Sequence, residues 1–333
     1  MATILEMKEK ITRFYGRNEL YINPVLKFLL AFVTFLMINQ NIGFMASISR
    51  TPIALLLALV CSIIPINGMM VLASAVIVAD MYALSLEVCL VTVMVFAVLY
   101  LVYFRFAPKY GYDVVLMPVC FKLHIPYVMP VGEGLLREGY SVFAVACGTI
   151  LFFFLDGVRQ NAAVLSSTAE TEEAASKIVV VLNQLMGNKE MYLVLGVMAA
   201  TTLTVYIIRR LSIENAWGIA IIAGILLESV GLIAGYMLLG ISGRTVGVLV
   251  GNAVAALIAF LLQFLFFNLD YSRTERLQFE DDEYFYYVKA VPKAVVSGTD
   301  KKITRFGGRD DKEERLTKKR FAEEMDIDED LLD

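Results

Sequence analysis

Between Thr51 and Phe104 this chain runs almost unbroken through apolar side chains, with Asp80 and Glu87 as its only charges. One helix needs about 20 such residues to cross a bilayer, so the run must turn back on itself more than once. A soluble core offers no escape from this. The whole chain of 333 residues is 58% hydrophobic and only 19% charged, whereas soluble domains run near half apolar and a quarter charged. Lipid is the solvent implied. The turn signal Pro65-Ile66-Asn67-Gly68 and the interruption marked by Asp80 and Glu87 cut the run into spans near 51–65, 68–84 and 86–104, with both acids expected in water at span ends.

Further spans are expected near 22–38, 139–155, 191–208, 216–239 and 246–267. The fold class read from this pattern is all-α, a polytopic bundle of about eight spans, with a re-entrant hairpin and a small cytoplasmic tail. Residues 1–21 carry Lys8, Lys10, Arg13 and Arg17 without a signal-peptide core and read as a cytoplasmic leader. Asn23-Pro24 is expected to open the first span, where proline gives up no helical hydrogen bond, and Lys27 to snorkel from it.

The hairpin is the stretch from Val114 to Arg137. It is too apolar for a loop, yet it holds Pro118, Pro126, Pro130, Gly132 and Gly134 together with Lys122, His124 and Glu133. Two half-helices meeting at a break fit that pattern. Non-helical backbone at membrane depth survives only where protein or water satisfies it, and half-helix ends suit ion or substrate binding. Lys122, His124 and Glu133 are therefore candidates for a substrate or ion path; the bland alternative is an interfacial element whose Lys122 and His124 reach head groups. Glu228 joins the candidates because it lies near the middle of the span AWGIAIIAGILLESVGLIAGYML, where a carboxylate needs a partner, a proton or a wet cavity. Gly224, Gly231 and Gly235, with Gly247 and Gly251 in the next span, have the small-xxx-small spacing of close helix packing.

Two segments lie outside the spans. The connection 157–190 carries an apolar stripe at Ile178, Val181, Leu182 and Leu185, as in a short amphipathic helix. The tail, residues 269–333, has in its first part LQFEDDEYFYYVKAVPKAVV, which reads as a strand pair or as a strand docked on the membrane domain. The charged helix DKEERLTKKRFAEEM and the acidic end DIDEDLLD follow. Charges over Leu277–Asp333 read either as a solvated face or as a docking surface for a cytoplasmic protein. Eight spans and a hairpin put both termini on one side together with Arg105, Lys109, Arg137, Arg209 and Arg210, and the more acidic connection 157–190 on the other. The positive-inside rule then assigns both termini to the cytoplasm.

No GxxxxGK[ST], strand-to-helix GxGxxG, HExxH or GxSxG occurs. No enzyme, catalytic residue, cofactor or nucleic-acid partner is expected. His124 is the only histidine, and Cys61, Cys89, Cys120 and Cys147 lie in apolar runs as space-filling thiols, so no metal site is expected.

ITRFYGRNELYINPVLKFLL, KLHIPYVMPV and RLQFEDDEYFYYVKAVPK together resemble an uncharacterised family of Gram-positive bacterial polytopic membrane proteins often labelled ABC transporter permease-like. The resemblance implies a location in the bacterial cytoplasmic membrane and, under that label, an ATPase subunit as the partner of the tail. Importer permeases carry an EAA loop with a downstream glycine; the only EAA here, Glu173-Ala174-Ala175, lacks it. Two functions are carried forward. One is a permease or membrane subunit of a transporter for an unidentified solute. The other is a non-catalytic membrane scaffold that recruits partners through its tail.

Overall fold

The computed structural model describes residues 2–166, 174–211, 213, 215–241 and 243–266, and two short strands in the tail. It is helical throughout the membrane region. In order come α1 (Ala2–Ile42), α2 (Thr51–Ile63), α3 (Ile66–Leu84), α4 (Leu86–Phe106), α5 (Gly111–Lys122), α6 (Val128–Leu136), α7 (Ser141–Gln160), α8 (Ala162–Leu165), α9 (Ala174–Met186), α10 (Lys189–Arg209), α11 (Ala216–Leu238) and α12 (Thr245–Phe266). The chain divides into two units, Lys8–Arg273, and Met1–Met7 with Thr274–Asp333. In the second, β1 (Phe279–Glu280) and β2 (Phe285–Tyr286) pair antiparallel, Phe279 opposite Tyr286. The strand pair read from the sequence is thus present as two residues a side, while the charged helix and the acidic end lie outside the described residues.

Among the described residues, seven helices are long and apolar enough to cross a bilayer: Phe14–Ile42 within α1, then α3, α4, α7, α10, α11 and α12. They are clothed in lipid-facing side chains such as Leu101, Met237 and Leu257. This is an integral membrane protein of several passes. The leader does not end at Asn23-Pro24; Pro24 lies inside α1, and the bend falls earlier, at Asn18 (φ −116°, ψ 19°). The segment expected to span near 51–65 is the 13-residue α2, about 20 Å of helix against a hydrocarbon core of about 30 Å.

Polar contacts sort the helix ends. At one end, the Tyr103 hydroxyl lies within donating distance of both Asn67 Oδ1 (2.8 Å) and the Pro108 carbonyl (2.9 Å), sharing its one hydrogen between them and tying the start of α3 to the end of α4. Phe106 stacks on Phe143 with ring centroids 4.4 Å apart, and the Arg209 guanidinium donates to the Leu135 and Arg137 carbonyls. This is the basic end. At the far end, the Met45 amide donates to Asp80 Oδ1 (2.9 Å) and Lys122 Nζ donates to Asn41 Oδ1 (2.5 Å). Arg244 pairs there with Glu190. Since α1 and α3 both finish at the far end, α2 must carry the chain back between them despite its length. Eight traversals result, with the hairpin entering and leaving at the basic end.

Asp80 departs from the expectation of a solvated acid. It is fully buried, and the Met45 amide that it binds comes from the loop closing α1. Glu87 is half-exposed, in the first turn of α4, whose N-cap Ser85 accepts from the Val88 amide (3.2 Å).

Candidate functional site

The half-helices α5 and α6 form the hairpin around which the site is built. α5 ends at Lys122, four residues before Pro126, which has no amide to donate to the Lys122 carbonyl. His124 takes a left-handed conformation (φ 63°). The Ile125 amide donates to the Cys120 carbonyl (2.9 Å) and the His124 amide to the Phe121 carbonyl (3.1 Å). This is a Schellman-type ending with histidine where glycine is usual. α5 lies parallel to α7, with Met117 against Gly148 and the Phe121 ring stacked on Phe152 at 4.3 Å. The tip therefore reaches the level of Asp156, close to the far end. Both half-helices thus lie packed inside the helix bundle.

α6 is enclosed by α7, α10, α11 and α12, and small residues let it in. A Cβ on Gly134 would lie 2.7 Å from Val205 and 2.8 Å from the Thr202 carbonyl oxygen; one on Gly224 of α11 would meet Val205, and one on Gly251 of α12 the Tyr127 ring. Gly231 and Gly235 face Val197 and Leu193 of α10. Four of the five glycines singled out for packing thus sit at close helix contacts, while Gly247 has open space in front of it. The Arg209 cation caps the C-terminal carbonyls of α6, where a helix dipole favours positive charge.

Two cavities flank the hairpin tip. The larger, about 970 Å³, lies among the hairpin tip, α7, α10, α11, the start of α12 and the end of α9, and its polar lining includes His124, Tyr127, Asn188, Glu190, Tyr236 and Arg244. The smaller, about 240 Å³, lies among α1, α3, α4, α5 and α7. His124 and Asp156 line both; Lys122 lines the smaller one. Asp156 is held by Arg159 (3.1 Å) and by the Gln160 amide (2.7 Å).

The four candidate path residues do not share one cavity. Lys122 and His124 stand together at the tip, but neither Glu133 nor Glu228 lines either space. Glu133 lies near the base of the hairpin, within hydrogen-bonding reach of Asp113 at the start of α5 and near the Arg137 cation. Both carboxyls are buried, and each has one oxygen without a hydrogen-bond partner among the described residues. Glu228 is fully buried, and both of its oxygens lack a hydrogen-bond partner among the described residues. It sits level with Tyr127, because Gly224 meets Val131 one turn further along α6. Buried Thr201 on α10 and Asn252 on α12 likewise each carry an unpartnered oxygen. A carboxyl so placed needs a proton, a partner or water, since an isolated charge there is prohibitive.

Sequence reasoning missed Asp113, one residue before the stretch it delimited, although an acid in a first helical turn is a recognisable signal. It also took Arg209 only as a marker of sidedness. A comparison with protein-family models, with curated proteins and with solved structures returns no match for this chain.

Proposed function

We propose that this protein is a permease, or the membrane subunit of a transporter, and that the 970 Å³ space beside α6 is its solute chamber. The observation that carries this reading is the coincidence of a broken helix with a large polar cavity. The break between α5 and α6, through His124, Pro126 and Tyr127, faces the same space as Glu190, Tyr236 and Arg244, which offer a carboxylate, a hydroxyl and a guanidinium to a polar solute. The pattern is that of transporters whose sites form at discontinuous helices. The basic end is closed beneath the chamber by Gly134 packed on α10 and by the Arg209 clamp.

Arg105, Lys109, Arg137, Arg209 and Arg210 gather at that closed end. By the positive-inside rule it faces the cytoplasm of a bacterial cell. The chamber then opens away from the cytoplasm, and a tail partner such as an ATPase would act from the opposite side through Leu277–Asp333.

The test is thiol labelling in intact cells and inverted vesicles, after replacement of the four native cysteines. Cysteines at Asn188, Gly243 and Tyr236 are expected to react with an impermeant reagent in intact cells only. A cysteine at Glu228 is expected to react only when the chamber changes state during uptake. Silence at Asn188 and Tyr236 from both faces sinks the chamber and leaves the scaffold reading in its place.

A further inference from the structure

The smaller cavity, on the opposite side of the hairpin from the solute chamber, has a different chemistry. Its deep wall is made of buried Met70, Ile77, Phe96, Leu99 and Val115. The few polar groups in that wall are already satisfied. The Tyr100 hydroxyl donates to Ser74 Oγ (2.6 Å), Ser74 donates to the Val71 carbonyl (2.8 Å), and Thr34 donates to the Leu30 carbonyl (2.7 Å). An occupant of this space is asked for no hydrogen bond. Along α7 the lining runs from Cys147 to Arg159, about 18 Å of helix. A volume of about 240 Å³ over that length makes a long, narrow slot, below the roughly 300–1,000 Å³ of pockets that hold compact ligands. An extended hydrocarbon chain has that shape.

The mouth is the reverse of the wall. Asn41, Lys122, His124 and Arg159 stand there, with His124 and Arg159 exposed. Arg159 is neutralised by Asp156 (3.1 Å). Lys122 has only the neutral Asn41 amide, and no anionic partner among the described residues. An uncompensated cation at the rim of an apolar slot, near the end of a membrane bundle, matches an amphiphile with an anionic head. Basic pockets between transmembrane helices hold anionic lipid head groups in this way.

We infer that the slot between α1, α3, α4, α5 and α7 is a binding site for one acyl chain of an anionic phospholipid of the surrounding bilayer, with its phosphate on Lys122. Bound there, the lipid would wedge the tip of the hairpin on the side away from the chamber, so that membrane composition would bear on how freely the tip moves. The site stands whether or not the chamber carries a solute.

The experiment uses the full chain in vesicles of equal phosphatidylglycerol and phosphatidylcholine, re-extracted in mild detergent and read by native mass spectrometry. The wild type is expected to retain one phosphatidylglycerol in preference to phosphatidylcholine. Lys122→Gln is expected to lose about fivefold in that preference, the worth of one cation near an anionic head group. Ala73→Phe, which fills the slot from α3 and leaves Lys122 in place, is expected to release the lipid altogether. Equal retention in all three proteins would mean lipid held only at the outer surface, and would overturn the inference. So would retention of free fatty acid or detergent without phospholipid. Lys122→Gln changes a residue at the cavity mouth, outside the packed core, and keeps the proposal testable if Ala73→Phe does not fold.

Discussion

Asp80 shows how much one side chain can decide. Its carboxylate has left water entirely in order to accept the Met45 amide across 35 positions of sequence, and so it pins the loop that follows α1 to the end of α3. Asp80→Ala leaves that amide unpaired in a half-buried site, at a cost of about 1–3 kcal/mol. Thermal unfolding in detergent should show the loss, with Asp80→Asn recovering part of it. From sequence this was not legible. An acid near the end of an apolar run looks the same whether it faces water or ties down a loop, and its partner is a backbone amide that any residue could supply. Glu228 was legible, because a carboxylate in mid-span has no local source of water. The absence of a partner became known only when α6, α10 and α12 were placed around it.

At the scale of the element, α6 is the part whose position the rest of the site depends on. Nine residues make too short a helix to be stable alone, so its place is set by what it packs against. Gly134 has no room for a side chain, with Val205 and the Thr202 carbonyl where a Cβ would stand. Gly134→Val must push α6 away from α10 or strain both, which costs about 1–3 kcal/mol. The same variant loosens the Arg209 clamp on Leu135. It is therefore expected both to lower the melting temperature and to open the basic end to an impermeant thiol reagent at position 131. A melting temperature equal to the wild type, with position 131 still silent, would show that α6 is not held by this contact. That the stretch is broken into two half-helices could be read from Pro126 and the flanking prolines and glycines. That it reaches almost to the far end could not, since depth depends on Met117 finding Gly148 and Phe121 finding Phe152.

For the molecule as a whole, the number of crossings turns on α2. Among the described residues seven helices suffice by length, and the short α2 makes an eighth traversal because Met45 and Asn67 lie at opposite ends of the bundle. Reporter fusions placed after Ser49 and after Leu211 should accordingly report opposite faces of the membrane, with the Leu211 fusion on the same face as one after Phe266. Fusions at Ser49 and Leu211 reporting one face would remove the α2 crossing. The membrane class, the existence of the spans and the break in the hairpin followed from the sequence alone. Burial of apolar surface is a local, additive demand, and prolines and glycines act on the backbone where they stand. Which polar groups meet was decided only by the tertiary structure. Asp80 with Met45, Asp113 with Glu133, and Lys122 with Asn41 are joined across 20 to 81 positions. Pairing of that kind depends on helix register and depth, which no single segment encodes.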